Sequence, residues 1–224
     1  MKLNKFLLTL CVALAFCSQP LHGQENVSTD KQFSEWRTKA ERGDAEAQFT
    51  VGYFYIVGQG VAKDEIEGAK WYRKAAEQNL AGAQYNLAQC YHKGQGVAKN
   101  MVEALKWYRK AADQNISEAQ FDLGTFFASG EGVASNSVEA VKWYRKAADQ
   151  NYAKAQFNLG VHYLRGQGVP EEDAEGYKWL YLAAAQGHGQ SKILVAKLEA
   201  GLSPQLIRDG KQRANDWLKK HSKT

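Results

Sequence analysis

Apolar residues recur every fourth position in a block that repeats along the chain. Ala47, Val51 and Tyr55 fall on one stripe of a helix, because steps of four residues bring side chains to the same face. A small residue such as Gly52 stands beside each stripe, which predicts that a neighbouring helix approaches closely. The equivalent stripes, each 36 residues further on, are Ala83, Leu87 and Tyr91; Ala119, Leu123 and Phe127; and Ala155, Leu159 and Tyr163.

A second and more uniform stretch follows each of these helices. It reads WYRKAAEQN from Trp71, WYRKAADQN from Trp107 and again from Trp143, and WLYLAAAQG from Trp179. The four tryptophans keep the same 36-residue period. One unit of this size cannot bury its own apolar face, so a run of such units predicts a stack with a continuous core. The sequence is therefore that of a repeat protein.

Start and stop signals divide each unit into two helices. Gly58 and Gly60, with their repeats, are predicted to end the first helix with a left-handed residue and a tight turn. Asp64 stands three residues before Glu67, which predicts a capping box at the start of the second helix. Left-handed stops are predicted after the second helices at Gly43, Asn79, Asn115, Asn151 and Gly187.

The motif resembles that of a known family. The pattern A-x-A-Q-x-x-L-G-x-x-Y-x-x-G-x-G-V, followed by E-A-x-K-W-Y-R-K-A-A, is similar to the Sel-1-like repeat, a relative of the tetratricopeptide repeat. The resemblance implies an all-α fold, a right-handed α-solenoid of helix-turn-helix repeats. The predicted units are 45–80, 81–116, 117–152 and 153–188, after an N-terminal half repeat over 31–44.

The last residues, 189–224, keep the period but lose the motif, so they are predicted to be a degenerate repeat with a capping helix. Ser203 and Pro204 form a favourable helix start. The capping helix is predicted to cover the end of the stack with Leu206, Ile207, Ala214, Trp217 and Leu218.

The N-terminal residues have the pattern of a secretory signal peptide. Lys2 and Lys5 precede an apolar run that ends at Phe16, and small Gly23 closes the segment. We therefore expect a signal peptide over 1–23, a flexible polar leader over 24–30, and a periplasmic or secreted location. Lipidation at Cys17 is the alternative, which the bulky preceding residue disfavours.

Composition limits the chemistry that the exported chain can perform. The 29 basic residues fall to 27 when Lys2 and Lys5 leave, so against 24 acidic residues the net charge falls from +5 to +3. This mild charge gives no reason to expect nucleic-acid binding. Cys90 would then be the one remaining cysteine, and a lone buried thiol usually fills space. The histidines at 92, 162, 188 and 221 lack metal-binding spacing, so we expect no metal, cofactor or catalytic residue.

Basic residues form a stripe on the second helices. Lys70, Arg73 and Lys74 recur in the next two units, and Glu67 precedes Lys70 at the spacing of a helical ion pair. A solvated outer face is the favoured interpretation. The alternative is docking to an anionic membrane surface, which we do not expect.

The residues that vary between units are better candidates for a binding site. In tetratricopeptide-like stacks the first helices line a concave groove, so the resemblance implies that varying residues on them face a ligand. Aromatic residues at Phe49, Tyr85, Phe121 and Phe157 either border this groove or pack between units. The predicted groove residues are Thr50, Tyr53, Asn86, Gln89, His92, Asp122, Thr125, Asn158 and Val161.

A groove of amide, hydroxyl and aromatic groups suits an extended peptide, because anchors and hydrogen bonds are spread along it. The sequence therefore favours a monomeric interaction scaffold or adaptor that binds a protein or peptide. The alternative, a β-lactamase-like or penicillin-binding hydrolase, follows from cysteine-rich relatives of the family. Those relatives carry paired cysteines within their repeats, and this chain does not.

Overall fold

The structure, a computed structural model, describes residues 24–221, which form eleven helices and no strand. None of these helices is long and apolar enough to cross a membrane. The predicted signal peptide lies outside the described residues. The helices are α1 Gln24–Glu41, α2 Ala45–Val57, α3 Glu65–Glu77, α4 Ala81–Lys93, α5 Met101–Asp113, α6 Ser117–Ser129, α7 Ser137–Asp149, α8 Ala153–Leu164, α9 Asp173–Ala185, α10 Gly189–Gly201 and α11 Pro204–His221.

Helix pairs form the repeating unit. The first and second helices pack together in α2–α3, α4–α5, α6–α7 and α8–α9, and each second helix also packs on the first helix of the next unit. Helix α1 packs on α2 in the same way, as the second helix of a preceding unit would. The prediction of an all-α solenoid is confirmed.

Helix α1 begins earlier than its composition suggests. The structure begins α1 at Gln24, so residues 24–30, for which the sequence predicts a flexible leader, are helical. The first loop packs against this part of the helix: a Cβ atom added to Gly60 would lie 2.4 Å from the carbonyl oxygen of Thr29. This close backbone contact gives the polar N-terminal segment a fixed support.

The loops between the helices of a unit use glycine as predicted. Gly94 ends α4 with a φ of 74°, and Gly96 has a φ of 69°. A Cβ atom on Gly96 would lie 1.9 Å from the carbonyl oxygen of Glu65, so the loop of one unit rests on the first turn of the preceding second helix. Glycine is therefore required at position 96 both for its conformation and for its size.

The second helices α3, α5 and α7 are capped by side chains, but the reciprocal box that the sequence predicts does not form at Asp64. The Asp64 side chain accepts a hydrogen bond from the Glu67 amide, as expected. The Asp64 amide, however, donates to the carbonyl of Tyr55 across 2.9 Å, and the Glu67 carboxylate pairs with Lys70. The prediction that the glutamate reaches back is wrong, because a main-chain carbonyl already satisfies that amide.

The second helices end in a left-handed residue. Asn79, Asn115 and Asn151 have φ values of 66°, 64° and 64°. The Asn79 amide donates to the Ala76 carbonyl, and the Leu80 amide donates to the Ala75 carbonyl. This pair of bonds is the Schellman arrangement, and it reverses the chain into the next unit.

The core is closed by close contact between the two helices of each unit. A Cβ atom on Gly124 would lie 2.6 Å from the ring of Tyr144, so the aromatic ring packs directly on the helix backbone. Leu123, beside this glycine, is 1% exposed. The close approach predicted at the small residue is present. At Gly52, Gly124 and Gly160, a Tyr or Leu side chain of the second helix packs on the backbone of the first helix.

Buried glutamines connect the units, which the sequence does not predict. The side chain of Gln120 donates to the carbonyl of Ala112 across 3.0 Å, and its Oε1 accepts from Nε2 of Gln150 across 2.7 Å. The same bond joins glutamines 30 residues apart in the other units, namely Gln78 with Gln48, Gln114 with Gln84, and Gln186 with Gln156. The bond between glutamines joins the two ends of one unit, whereas the bond from Gln120 to Ala112 fixes that unit on the preceding one.

The C-terminal helix covers the stack from the side of α9. Helix α11 packs along α9, where a Cβ atom on Gly210 would lie 2.6 Å from the ring of Tyr177. Arg213 pairs with Glu172 and Glu175 at the start of α9. Ala214 and Trp217 are buried as predicted, but Leu218 is 43% exposed. The prediction that Leu218 covers the end of the stack is wrong. Trp217 lies on the side of α11 that faces α9, so its neighbour Leu218 points toward solvent.

Candidate partner-binding face

The predicted groove residues lie on α2, α4, α6 and α8. None of the nine is buried: Tyr53 is exposed and the other eight are half-buried. We call the surface that they form the first-helix face. It comprises Thr50, Tyr53, Asn86, Gln89, His92, Asp122, Thr125, Asn158 and Val161.

Tyrosines from the second helices support this face from below. Tyr72 and Tyr144 are buried, which raises their pKa, and the amides of Asn86 and Asn158 oppose the shift through interaction with the two hydroxyl groups. The Tyr144 hydroxyl also donates to Oγ1 of Thr125 across 3.3 Å. Asn86 and Asn158 therefore lie next to the hydroxyl groups of buried tyrosines.

Asp122 occupies the same row and is the only charged member among its equivalents Thr50, Asn86 and Asn158. Burial raises the pKa of its carboxyl group to about 6, although a hydrogen bond from Tyr85 opposes the shift. The Tyr85 hydroxyl lies 3.3 Å from Oδ2 of Asp122. The carboxyl group is thus held at the boundary between the core and solvent.

His92 and Gln89 form the next polar group along α4. Nε2 of His92 lies 3.2 Å from Oε1 of Glu131, and its ring meets the ring of Phe126 edge-on at 5.1 Å. Lys93 donates to the side chain of Gln89 across 3.2 Å. These contacts connect unit 2 to the loop of unit 3.

The two ends of the face are less polar. Thr50 donates its hydroxyl to the carbonyl of Glu46 across 2.9 Å. Val161 packs against the cluster formed by Tyr177, Leu180 and Val195. The polar groups that face solvent are therefore concentrated on α4, α6 and the middle of α8.

The aromatic residues of the first helices are half-buried and pack against aromatic rings of their own units. Phe121 is half-buried, and its ring lies 5.9 Å from Tyr144 in its own unit and 5.5 Å from Tyr152 before the next. Phe49 similarly lies 5.6 Å from Tyr72. These side chains thus join the core to the surface.

The basic stripe on the second helices is partly held by aromatic rings. Nζ of Lys74 lies 3.7 Å from the ring centroid of Trp71, and Lys146 lies 3.8 Å from Trp143. Arg73 donates to the hydroxyl of Tyr91 in the next unit. Part of the basic charge therefore contributes to packing between units.

The free cysteine and the metal-binding side chains of residues 24–221 were candidates for chemistry, and neither is arranged for it. Cys90 is 2% exposed, and burial raises the pKa of its thiol to about 11, opposite to the change that activates a nucleophile. Among residues 24–221, no group of three or more His, Cys, Asp or Glu side chains could hold a metal ion. Cys90 is packed as the small apolar filler that its position predicts.

Comparison with known proteins identifies the repeats. The profile described as Sel1 repeat matches residues 45–80, 81–116, 117–152 and 153–188. The chain belongs to the Sel1 repeat family. These four Sel1 repeats have the boundaries that the 36-residue period gives. No curated protein matches the chain closely enough to count as a relative.

Two solved structures are similar to this Sel1 repeat protein. One is c5321, described as a protective antigen present in uropathogenic Escherichia coli strains with an SLR fold; it is 29% identical, with a TM-score of 0.76 over 84% of this chain and 41% of that one. The other is a Sel1 repeat protein from Oxalobacter formigenes, 30% identical, with a TM-score of 0.72 over 76% of this chain and 49% of that one. The chain thus spans less than half the length of either.

Two features of the face escape the sequence pattern. Glu118 lies one helical turn before Asp122 on α6, and the ring of Tyr152 packs on Phe121 at 5.5 Å, yet neither belongs to the predicted rows. Glu118 is in the first turn of α6, and Tyr152 precedes α8. The available signal was the 36-residue period, because it also sets the spacing between the starts of α6 and α8 in neighbouring units.

Proposed function

We propose that this protein is an exported scaffold that binds a protein or peptide partner on its first-helix face. Sel1 repeat proteins generally serve as scaffolds for protein–protein interactions and are typically not enzymes. The observation that carries the proposal is the row of half-buried amide, hydroxyl and carboxyl groups on α4, α6 and α8. Such a row presents hydrogen-bonding groups along a line, as an extended segment requires.

The proposed location outside the cytoplasm is supported by the sequence of residues 1–23. Its charged start, apolar middle and small closing residue suit a secretory signal. Cleavage is tested by N-terminal sequencing of the protein purified from cell envelope and culture medium. Recovery of an intact Met1 from both fractions would contradict the proposal of export through a cleaved signal.

The binding proposal is tested by crosslinking capture from native cell envelope and culture medium. The parent chain is compared with Asn86→Ala combined with Asn158→Ala, which removes two amides from the first-helix face. The matched control is Glu77→Ala combined with Asp113→Ala, two exposed side chains at one repeat position of the second helices. Helicity and melting temperature are measured for all three.

We expect a partner that the parent and the control capture and that the amide variant loses. Capture of the same partner by all three proteins would place binding on another face and contradict the proposed groove. No capture by the parent would contradict the scaffold proposal in these fractions. The hydrolase alternative finds no support in the comparisons or in the described residues.

A further inference from the structure

The third unit carries two carboxyl groups on α6, one of which is Asp122 of the first-helix face. Glu118 lies one helical turn before Asp122 on α6. In the described part of the chain neither forms an ion pair, whereas Glu67, Glu103 and Glu139 on the second helices each pair with a lysine three residues later. The negative charge of Glu118 and Asp122 is therefore left without a cation in contact.

Tyrosines stand on both sides of these carboxyl groups. Tyr85 on α4 donates its hydroxyl to Asp122, and Tyr152 precedes α8 on the other side. Burial raises the pKa of both tyrosines, and Asp122 and Glu118 raise it further. The Tyr85 hydroxyl lies 3.3 Å from Asp122, and the ring of Tyr152 packs at 5.5 Å on Phe121, the residue before Asp122. We call Tyr85, Glu118, Asp122 and Tyr152 the unit-3 patch.

The cations around the patch do not neutralise it. Lys93 on α4, Lys154 on α8 and His92 on α4 act on the carboxyl group of Asp122 from a distance, but none forms an ion pair with it. Asp122 is half-buried, so its charge is incompletely solvated. A cationic group placed in contact with it would gain more than at a fully exposed site.

We propose that the unit-3 patch binds a lysine or arginine side chain in an extended segment of the partner, with its cationic group between the rings of Tyr85 and Tyr152 and against Asp122 and Glu118. This inference rests on the proposed function, because it assigns the partner's chemistry at the same face. Tyrosine faces attract cations, and the carboxylates supply charge-assisted hydrogen bonds. Hydrogen bonds to the amides of Asn86 and Asn158 would hold the segment on either side.

The test is selection from a displayed library of random linear peptides on the immobilised full chain. We expect lysine or arginine to be enriched at one position of the selected peptides. An enriched peptide is then synthesised with lysine and with norleucine at that position, and its affinity for the chain is measured by titration. Norleucine is expected to weaken binding about tenfold or more, as the loss of a charge-assisted contact does.

Two protein variants separate the patch from the rest of the face. Asp122→Asn keeps the shape and the hydrogen bond from Tyr85 but removes the charge, so it is expected to weaken the lysine peptide by a similar factor. Asp113→Asn, at an exposed position on α5, is the matched control and should bind like the parent. Asp122→Lys should reverse the preference toward peptides with glutamate or aspartate.

The outcomes distinguish this inference from the proposed function. Peptides that lack an enriched basic residue, or that Asp122→Asn binds like the parent, contradict the inference. If those same peptides are lost in Asn86→Ala combined with Asn158→Ala, the first-helix face still binds peptides. Selection of no peptide, or of peptides that bind every variant equally, contradicts both.

Discussion

The hydroxyl group of Tyr85 on α4 donates a hydrogen bond to Oδ2 of Asp122 on α6 across 3.3 Å, so consecutive repeats are joined on the first-helix face. The bond holds a carboxyl group where burial raises its pKa to about 6. The other units place Thr50, Asn86 and Asn158 in this row, so the repeat itself does not need the charge. A charge that the fold does not need, in a half-buried place, supports the proposal that Asp122 takes part in binding.

The first prediction concerns the stability of Asp122→Asn. Because the pKa of Asp122 is raised on folding, the parent loses stability as pH rises between the ordinary value of 3.8 and about 6. The variant should therefore unfold with a larger free energy above neutral pH, by an amount on the order of 1–3 kcal/mol. Below about pH 4 the two proteins should be equally stable. Denaturant unfolding across this pH range measures the difference, and a less stable variant at neutral pH would show that the carboxylate stabilises the fold.

The second prediction concerns the row of buried glutamines. Gln120→Leu removes an acceptor from Gln150 and a donor from the carbonyl of Ala112, both within the stack. The free energy of unfolding should fall by about 1–3 kcal/mol, mainly the cost of leaving the buried carbonyl of Ala112 without its side-chain donor. Gln150→Leu is the control, because it removes the bond between the two glutamines but keeps the bond from Gln120 to Ala112, so it should cost less. Equal losses would mean that the bond from Gln120 to the preceding unit does not contribute to stability.

The third prediction separates backbone conformation from space in the loops. The Cβ atom of Gly94→Ala would meet no atom closer than the Cβ of Lys99 at 3.4 Å, so the cost of this variant should be the left-handed strain of roughly 1–2 kcal/mol. Gly96→Ala adds a clash with the carbonyl oxygen of Glu65 and should lower the melting temperature further. Equal melting temperatures for the two variants would contradict the close contact between neighbouring units.

The fourth prediction concerns the left-handed stop after α5. Asn115 has a φ of 64°, which glycine adopts without strain and alanine does not. Asn115→Gly should therefore be close to neutral, whereas Asn115→Ala should cost on the order of 1 kcal/mol. Thermal unfolding of the two variants compares them directly. A large loss from the glycine variant would assign the stability to the asparagine side chain instead.

The helix boundaries were predictable because their chemistry is local. Gly96 and Asn115 occupy conformations that few residues adopt, and Asp64 caps the helix that begins next to it. The 36-residue period then placed these signals in every unit. Local conformational preference and the repeat together were enough for the fold.

The features that the sequence did not predict depend on which of two possible partners a side chain contacts in the folded chain. The sequence offers Glu67 two partners, the Asp64 amide and Lys70; it pairs with Lys70, and the Asp64 amide donates to the carbonyl of Tyr55 instead. Gln120 looks like a polar residue in a buried stripe until Gln150, 30 residues away in sequence, is brought beside it. Leu218 and Trp217 are neighbours, and the angle at which α11 meets α9 decides which of them is buried.

The candidate site was accessible to sequence reasoning only in part. Asn86, Asp122 and Asn158 share one repeat position, so they lie on the same face of three successive first helices. The pairing of Tyr85 with Asp122 involves two units, and its effect on the carboxyl group depends on burial. Neither can be read from spacing alone.

Site-specific photo-crosslinking tests the central claim most directly. A photo-reactive residue is placed at Gln89 on the first-helix face in one protein and at Asp113 on a second helix in another, and both are irradiated in native cell envelope. A partner on the first-helix face should crosslink at position 89 and not at position 113. A partner that crosslinks at 113 and not at 89 would contradict the proposed binding face.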